Sequence, residues 1–263
     1  MQVVILAGGL GSRLGNLTSE VPKPMVQIGN YPILLQIINH FYYFGFKEFI
    51  ICLGYKQNVI KEYFINMNYY NNNISISGDK ISIVDNSHSK LFPEAEFKLI
   101  DTGLNSMTGE RLLRIKDVLN KDKPFFLTYG DGISEVNLNE LLKFHKSHGG
   151  IGTVTSVHPS ARFGEVISNK EGLVSSFKEK PAVENSWING GYFIFEKEFF
   201  EYIDKDKNEM LEQRPLERLV EENNLYTFKF DGYWKCMDTP RDLNSIIEDV
   251  KLGKYLYALE NGN

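Results

Sequence analysis

The regular alternation of strand-like and helix-like patterns through residue 157 is the feature that most restricts how this chain can fold. Residues 3–7 and 48–53 are short apolar runs rich in branched side chains, and each run is followed by glycine. Such runs are typical of buried parallel strands. Between them, apolar residues recur at helical spacing from Ile33 to Phe41, with Pro32 near the first turn. The pattern therefore predicts a unit of strand, loop, helix and strand.

The alternation continues along the chain and changes after about residue 160. It first predicts helix 59–64, strand 97–100, helix 109–119, strand 125–128, helix 138–148 and strand 152–157. It then predicts shorter strands at 164–167, 173–178, 192–195 and 226–230, with helices near 215–222 and 240–252. Because such alternation requires a helix-covered, largely parallel sheet, we predict an α/β fold. The expected architecture is one domain, 1–263, with a mixed, mostly parallel sheet, helices on both faces and a small added β region.

A polar stretch interrupts this alternation and suggests an insertion at about residues 66–96. The asparagines that crowd its beginning are Asn66, Asn68, Asn71, Asn72 and Asn73. Isoleucines then alternate with polar residues from position 74 to position 83. The pattern fits either a projecting hairpin or a flexible insertion. A surface feature is the simpler interpretation, although long excursions also serve as lids or oligomer contacts.

Composition excludes several classes of protein. The chain has 263 residues, of which 42% are apolar, and this is enough to bury a sizeable core. With 29 basic and 34 acidic side chains the net charge is −5, so we do not expect the clustered basic surface that nucleic-acid binding requires. No apolar run approaches the roughly 20 residues of a membrane helix, so no membrane association is expected.

The N-terminus and the cysteines point to an intracellular chain. Residues 1–7 are apolar but lack a basic leader, so we expect no export signal and a soluble, cytoplasmic protein. The two cysteines, Cys52 and Cys236, both lie in apolar runs. We interpret them as small buried hydrophobic residues, with a disulfide as the alternative.

The first predicted strand leads into a loop that contains Gly8, Gly9 and Gly11. Glycines at a strand end let backbone N–H groups converge on an anion without intervening Cβ atoms. Arg13 and Lys23 follow and add two cations beside the loop. Two fixed positive charges on one polyanion suit phosphoryl transfer, so a phosphate site is favoured over a simple tight turn.

Two common phosphate-binding motifs do not fit this loop. The dinucleotide fingerprint requires a third glycine where this sequence has Leu14. The ATPase loop requires Gly-Lys followed by Ser or Thr, and no glycine of the sequence is followed in that way. An NAD-dependent oxidoreductase and a P-loop ATPase are therefore disfavoured.

Two acidic residues follow predicted strands. Asp131 stands between Gly130 and Gly132, and Asp238 precedes the last predicted helix. Ligands of open α/β sheets collect at the carboxyl ends of the strands, where a carboxylate suits Mg²⁺. On local grounds alone, an ordinary Asp-Gly turn and a helix cap explain the two residues equally well.

Together these segments resemble the sugar nucleotidyltransferases over nearly the whole chain. The motifs that carry the resemblance are residues 7–14 (AGGLGSRL), 22–25 (PKPM), 101–103 (DTG), 107–109 (MTG), 128–132 (TYGDG), 177–181 (FKEKP), 187–191 (WINGG) and 237–239 (MDT). The DTG, TYGDG and INGG forms are similar to those of the cytidylyl branch that acts on glucose 1-phosphate. The implied fold is a Rossmann-like nucleotidyltransferase domain, with a nucleotide-binding half at about 1–155 and a sugar-phosphate half at about 156–263.

The resemblance also implies a role for each matching residue. The catalytic residues would be Arg13, Lys23, Asp131 and Lys180. The nucleotide would be bound by Leu6, Gly8, Gly9, Gly11, Ser12, Arg13, Lys23, Asp101, Thr102, Gly103, Arg111, Thr128 and Asp131. The sugar phosphate would be held by Gly164, Glu179, Lys180 and Asn189, and Mg²⁺ by Asp131 and Asp238.

The implied reaction joins CTP to a sugar 1-phosphate, most simply glucose 1-phosphate, and gives CDP-glucose and pyrophosphate by direct in-line attack. A homo-oligomer is expected from the same resemblance. The chain departs from the family at Glu110, where glycine is usual, so contacts with the base are the part of the resemblance that this change affects most.

Three other functions fit part of the pattern. The same transfer could act on a different phosphorylated molecule, including one that is not a sugar. A regulatory module could keep the fold without turnover, although it would have no need for the full set of charged residues. A metal-dependent glycosyltransferase would also place carboxylates beside a nucleotide sugar.

Overall fold

The computed structural model describes residues 1–15, 17–70, 72–84, 91–120, 122–159, 165–178 and 186–259. The strands within these residues are β1 Gln2–Leu6, β2 Gln27–Ile28, β3 Tyr31–Pro32, β4 Glu48–Leu53, β5 Ile74–Ser77, β6 Lys80–Ile83, β7 Glu96–Asp101, β8 Phe125–Tyr129, β9 Gly132–Ser134, β10 Gly152–Val157, β11 Glu165–Ser168, β12 Val174–Lys178, β13 Ile188–Phe195, β14 Leu225–Phe230 and β15 Trp234–Cys236.

The α-helices of the described residues are α1 Leu17–Glu20, α2 Ile33–Tyr43, α3 Gln57–Tyr70, α4 Thr108–Ile115, α5 Leu138–His148, α6 Arg214–Glu221 and α7 Pro240–Lys251. Short 3₁₀ helices are formed by Ser12–Leu14, Lys23–Met25, Lys116–Val118 and Lys197–Tyr202. None of the helices in the described part of the chain has the length and apolar character that a membrane crossing requires.

A central seven-stranded sheet organises the molecule. Its strand order is β14, β10, β13, β8, β1, β4 and β7. Neighbouring strands run parallel, except that β13 is antiparallel to both β10 and β8. The prediction of a mixed, mostly parallel sheet is therefore confirmed. Because β13 lies between two strands of the N-terminal half, the two halves of the chain share one continuous sheet.

Helices cover both faces of this sheet, as predicted. Along β1, Val3 and Ile5 belong to the core layer that includes residues of α2, α3, α5 and α7. Val4 and Leu6 belong to the opposite layer, which includes residues of α4 and α6. Successive side chains of a strand point to opposite faces, so a fully apolar strand is stable only when both faces are covered. Each such side chain stabilises the fold by about 1.5–3 kcal/mol when fully buried.

The carboxyl ends of β1, β4 and β8 meet at one edge of the sheet. Leu6 is in register with Cys52 of β4 and with Tyr129 of β8. The Gly130 N–H donates to the Leu6 carbonyl at 2.9 Å just beyond the last paired residues. This register brings the loop after β1 beside the turn after β8, as the crevice rule for α/β sheets predicts.

The C-terminal half differs from the prediction in how its strands pair. Strands β11 and β12 form a separate two-stranded sheet, and β13 and β14 are the strands in the described part of this half that join the central sheet. Strand β15 is the predicted strand before Asp238, but its antiparallel pairing with β9 was not predicted. Strand β9 has three residues, which is too short for an alternation of apolar and polar side chains to stand out in a sequence.

The stretch predicted as an insertion begins with helix, because α3 continues through Asn66 and Asn68. Asn66 Nδ2 donates to the Glu62 carbonyl at 2.9 Å, and Asn72 Nδ2 donates to the Asn68 carbonyl at 2.7 Å. Asparagine side chains that bond carbonyls four residues earlier are compatible with a helix. Strands β5 and β6 then form an exposed hairpin, so the hairpin alternative is confirmed.

His40 in α2 is a buried base that makes the stability of the fold depend on pH. The Nε2 of His40 lies 2.9 Å from the Val136 carbonyl, and aromatic rings of Phe41, Phe44 and Tyr192 surround it. Burial lowers the pKa of His40 to about 3, because the charged imidazolium would lose its hydration.

We expect the free energy of unfolding to fall as the pH decreases below 6.5. In that range the unfolded chain binds a proton at His40 that the folded chain does not bind. His40→Phe keeps an aromatic ring but removes this proton, so its stability should fall less steeply, by about 1.4 kcal/mol per pH unit, between pH 6 and pH 4.5. Urea unfolding at several pH values measures both slopes. Identical slopes for the two proteins would contradict this assignment.

Candidate functional site

The glycine loop after β1 is shaped by its neighbours. A Cβ atom on Gly8 would lie 2.2 Å from Arg111 Nη1, so only glycine fits at this position. Gly11 has φ of 64° and a Cβ there would lie 2.9 Å from Lys23 Cβ, so both its backbone conformation and its surroundings require glycine. Gly9 is exposed, with no atom within 4 Å of the position of a Cβ. Gly8 and Gly11 are therefore packed against Arg111 and Lys23, whereas Gly9 has open space around it.

Arg111 ties three segments of the chain together. Its guanidinium donates to the carbonyls of Gly8 at 3.0 Å, Leu53 at 3.0 Å and Gly103 at 2.8 Å, and to Thr102 Oγ1 at 2.8 Å. Only 4% of the residue is exposed, and this burial lowers its pKa. Carbonyl dipoles thus compensate a buried cation, and the loops after β1, β4 and β7 are fixed relative to one another.

Four charged side chains meet beside the glycine loop. Lys23 Nζ lies 2.6 Å from Asp131 Oδ2 and 2.8 Å from Asp238 Oδ1. Arg13 Nη1 lies 3.0 Å from Asp238 Oδ2. The Arg13 side chain is 70% exposed, whereas that of Lys23 is 10% exposed. The cluster therefore consists of a buried ammonium, two half-buried carboxylates and a guanidinium at the surface.

The pKa of Lys23 is raised above its ordinary value. Burial on its own lowers this pKa, but the charge of Asp131 and hydrogen bonds to Asp131 and Asp238 outweigh the loss of hydration. Lys23 therefore remains an ammonium over the whole physiological pH range, with its charge directed at the two carboxylates.

The last strand and helix bring Asp238 to this cluster. Cys236 of β15 pairs with Gly132 of β9, and the Met237 N–H donates to the Asp131 carbonyl at 2.8 Å. Thr239 then begins α7 with a capping box that it forms with Asp242. Since Thr239 is the helix cap, the alternative that Asp238 serves as this cap is wrong, and its carboxylate faces Lys23 and Arg13 instead.

Asp131, Cys236 and Asp238 form a group with potential metal ligands. One ligand atom from each residue lies within 4.8 Å of the others. Burial, followed by the charges of Asp131 and Asp238, raises the pKa of Cys236 to about 12, so the thiol stays neutral. Cys236 is a half-buried free thiol in the site, which corrects the expectation that it is a buried hydrophobic residue, whereas Cys52 is buried as predicted.

The glycine loop and Asp131 line a cleft of about 360 Å³. The residues predicted to bind the nucleotide that line it are Leu6, Gly8, Gly9, Gly11, Ser12, Arg13, Lys23, Arg111 and Asp131. The fold thus brings most of the predicted nucleotide-binding residues into one cleft. Ser106, Met107 and Thr108, at the start of α4, form another wall of the cleft.

Other predicted residues do not line this cleft. Thr128 is buried within β8, and Thr102 is buried between the Leu53 carbonyl, to which it donates at 2.7 Å, and Arg111. Asp101 accepts from Gln57 Nε2 at 2.7 Å and from the Gly103 N–H at 2.9 Å, and these bonds lower its pKa. Within the described residues these groups shape the surrounding loops.

The predicted sugar-phosphate residues are only partly described. Gly164, Glu179 and Lys180 lie outside the described residues. Asn189 lines a second cleft, together with Trp187 and Glu212. Its Nδ2 donates to the Tyr129 hydroxyl at 3.4 Å, which places Asn189 near the end of β8.

The departure at Glu110 is accommodated within α4. Glu110 lies in the first turn of this helix, and its carboxylate pairs with Arg114 Nε at 2.8 Å. A carboxylate near a helix N-terminus and an i,i+4 ion pair are both favourable there. Glycine is instead required at Gly109, where a Cβ would lie 2.7 Å from the Glu209 carbonyl oxygen.

Sequence reasoning missed Tyr129 and Glu212. The Tyr129 hydroxyl donates to Glu212 Oε1 at 2.5 Å, and Thr108 Oγ1 donates to Glu212 Oε2 at 2.7 Å. Tyr129 and Thr108 also line the nucleotide-side cleft. Both stand inside motifs that the sequence made visible, whereas Glu212 stands in a stretch without any recognisable motif.

The two adjacent glycines of the loop allow a matched stability test. Gly8→Ala should lower the free energy of unfolding by about 1–3 kcal/mol, because the new methyl group overlaps the Arg111 guanidinium. Gly9→Ala should change it by no more than about 0.5 kcal/mol, because the space around Gly9 is open. Chemical denaturation of both variants measures the difference. Equal stabilities would show that Arg111 does not hold Gly8 in place.

Comparisons with known proteins agree with this geometry. A sequence profile of the nucleotidyl transferase family matches residues 2–251. The glucose-1-phosphate cytidylyltransferase of Salmonella typhimurium is 41% identical over 244 residues, which cover 92% of this chain and 93% of that protein. The probable glucose-1-phosphate cytidylyltransferase of Bacillus subtilis is 34% identical over 259 residues, which cover 98% of this chain and 100% of that protein.

A solved structure supports the fold. The crystal structure of a Bacillus anthracis protein in complex with sucrose matches with a TM-score of 0.70 and 17% identity, and the match covers 100% of this chain and 98% of that chain. At this identity the comparison concerns the fold alone. The family profile and the identity to the curated relatives extend over nearly the whole chain, and the chain therefore belongs to the nucleotidyl transferase family, whose members typically use a divalent metal.

Proposed function

We propose that this protein transfers a cytidylyl group from CTP to a sugar 1-phosphate, most simply glucose 1-phosphate, and releases CDP-glucose and pyrophosphate. The choice of CTP and glucose 1-phosphate rests on the names of the two curated relatives. The observation that carries the reaction type is the meeting of Arg13, Lys23, Asp131 and Asp238 beside a glycine loop. This arrangement can neutralise two polyanions at once.

The reaction requires little acid–base chemistry from the protein. An oxygen of the sugar phosphate is already an anion at neutral pH, so it attacks the α-phosphorus without a general base. A new P–O bond forms to this oxygen, and the bond to the β-phosphate bridging oxygen breaks with its electron pair on pyrophosphate. The main task of the protein is therefore to align two negative reactants and to stabilise the departing charge.

The chain supplies groups for each part of this task. Gly8, Gly9 and Gly11 present backbone to the triphosphate, with Leu6 and Ser12 beside them. Arg13 and Lys23 face the β- and γ-phosphates and stabilise pyrophosphate as it leaves. Arg111 keeps the loops of the base side in position through its carbonyl contacts.

Asp131 and Asp238 fit a magnesium site. Their carboxylates are hard oxygen ligands, and a neutral Cys236 adds no competing soft anion. Bound between these residues, Mg²⁺ would neutralise charge shared by the nucleotide and the sugar phosphate. Lys23 contacts both carboxylates and can exchange that contact for the nucleotide phosphates, so the protein holds a compensating cation at each stage.

On the acceptor side, Lys180 would hold the sugar phosphate, and Glu179, Asn189 and the Gly164 backbone would contact hydroxyl groups. Asn189 is the described member of this set, and its contact with Tyr129 supports a location beside the nucleotide cleft. The corresponding division has a nucleotide-binding half at about 1–155 and a sugar-phosphate half at about 156–263 within one domain. The resemblance to the family also leads us to propose a cytoplasmic homo-oligomer, whose subunit number light scattering would measure.

Pyrophosphate release tests the proposed reaction directly. Purified protein with Mg²⁺ is incubated with each of the four common nucleoside triphosphates and a panel of sugar phosphates. We expect turnover with CTP and glucose 1-phosphate. Turnover with another pair alone would overturn the substrate assignment, and hydrolysis of CDP-glucose without pyrophosphate chemistry would overturn the reaction class.

Loss of either carboxylate should strongly reduce metal-dependent turnover. Asp131→Asn and Asp238→Asn each remove a charge that faces Lys23, and we expect kcat to fall by about 10²–10³-fold. Asp79→Asn, in the exposed turn between β5 and β6, removes the same charge on a hairpin that is separate from the central sheet and is the matched control. Steady-state kinetics measure the effect, and full activity in either site variant would eliminate that residue from the metal site.

Substitution of Arg13 should reduce activity without a large loss of stability. Its side chain is 70% exposed, so Arg13→Ala should change the free energy of unfolding by less than about 1 kcal/mol. The same substitution removes a cation from the departing pyrophosphate, and kcat should fall by about 10²-fold. Kinetics and thermal denaturation of one preparation measure both quantities. A stable variant with unchanged kcat would refute the assigned role.

A further inference from the structure

One short segment forms a series of hydrogen bonds with the wall of the nucleotide cleft. We call residues 208–212 the strap and residues 105–109 the nucleotide loop. Asn208 receives the Met107 N–H at 2.7 Å and donates to the Asn105 carbonyl at 2.9 Å. The Gly109 N–H donates to the Glu209 carbonyl at 3.0 Å. The strap therefore follows the nucleotide loop along its length.

Thr108 continues this attachment with its side chain. Its hydroxyl accepts the Leu211 N–H at 2.8 Å and donates to Glu212 Oε2 at 2.7 Å. Both functions of the hydroxyl are used, one as acceptor and one as donor. Because Thr108 also lines the nucleotide cleft, a change at Glu212 acts directly on that wall.

Glu212 extends the connection to the acceptor side. Its second oxygen, Oε1, accepts the Tyr129 hydroxyl at 2.5 Å, and the same hydroxyl accepts from Asn189 Nδ2 at 3.4 Å. The Tyr129 ring packs directly against Gly191, where an added Cβ would lie 2.8 Å from the ring. The Glu212 carboxylate thus connects Thr108, in the wall of the nucleotide cleft, to Tyr129 and, through the Tyr129 hydroxyl, to Asn189.

We infer that Glu212 is a positioning residue that couples the binding of the nucleotide to the binding of the phosphorylated acceptor. The inference rests on the proposed function, since it assumes that the two clefts take these two substrates. Glu212 lines the second cleft, whereas Thr108 and Tyr129 line the first. A substrate that orders one side of this network lowers the cost of ordering the other side. Such a coupling is reciprocal by thermodynamic necessity.

The chemistry requires a carboxylate at this position. Thr108 and Tyr129 both donate, so the group between them must offer two acceptor oxygens. Glutamine has a similar shape but offers one oxygen and one NH₂ group, so one of the two hydroxyls loses its acceptor. Glu212→Gln therefore breaks one of the two hydrogen bonds that connect Thr108 to Tyr129, without removing side-chain volume.

Calorimetry with a pair of ligands that cannot react measures the coupling. The α,β-methylene analogue of CTP is titrated into full-length protein with Mg²⁺, in the absence and in the presence of saturating glucose 1-phosphate. We expect the acceptor to tighten nucleotide binding by about 5–50-fold in the wild-type protein. In Glu212→Gln this coupling factor should fall to within about twofold of unity. The affinity for the nucleotide alone should change by a smaller factor than the coupling does.

Steady-state kinetics give a second readout that loss of structure alone would not produce. Glu212→Gln should raise the KM of each substrate by about 5–20-fold, while kcat at saturation of both changes by less than about threefold, because the reacting groups are intact. Glu217→Gln, an exposed residue of α6 that pairs with Arg214 and follows Glu212 closely in the chain, is the matched control and should leave both readouts unchanged.

Variants of the hydroxyl partners keep the inference testable if Glu212→Gln does not fold. Thr108→Val and Tyr129→Phe each remove one donor to Glu212, and each should reduce the coupling factor. Thr108→Ser keeps the hydroxyl and should restore the wild-type factor. In the double variant Glu212→Gln with Tyr129→Phe, the losses should be less than additive, since both remove the same contact.

The outcomes distinguish this inference from the proposed function. If the wild-type protein binds both ligands with a coupling factor that Glu212→Gln, Thr108→Val and Tyr129→Phe leave unchanged, the role of Glu212 is refuted and the proposed function stands. If the wild-type protein binds neither ligand, both are refuted. A coupling factor that falls in these variants and persists in Glu217→Gln and Thr108→Ser supports the inference.

Discussion

The contact of one buried ammonium with two carboxylates is the interaction on which the site depends. Burial alone favours the neutral amine of Lys23, and the ammonium persists because Asp131 and Asp238 compensate its lost hydration. These residues come from three distant parts of the chain. The turn after β8 and the pairing of β15 with β9 exist at the correct place only when the central sheet has formed, so the charge cluster depends on the fold.

Sequence patterns predicted the longer elements of the N-terminal half because each of them has a recognisable pattern of apolar residues over its own length. The strand at Glu48–Leu53 matches its prediction, and the helix at Leu138–His148 does so as well. The pairing of β13 was not predictable in this way, because its position between β8 and β10 depends on contacts far apart in sequence. The late end of α3 was not predicted because asparagine has a weak helix propensity, yet α3 includes Asn66, whose Nδ2 donates to the Glu62 carbonyl.

The charged residues of the site could be predicted for a similar reason: Arg13, Lys23 and Asp131 stand in motifs whose chemistry is readable in a short stretch. Glu212 could not be predicted, because its partners Tyr129 and Thr108 lie 83 and 104 residues away. Its surroundings in sequence resemble the start of an ordinary surface helix. A residue that acts by joining two motifs leaves no signal in either of them, and only the folded chain shows the connection.

The exposure of the site residues divides them into two kinds. Arg111 and Thr102 are buried, and their polar groups are occupied by the carbonyl of Leu53 and by each other. They shape the cleft but have little capacity left for a ligand. Arg13 and Asp131 remain accessible, and their side chains make ionic contacts that a phosphate or a metal can replace. A binding site for polyanions needs both kinds, because charges that exchange partners during turnover must be carried by a framework whose own hydrogen bonds do not change.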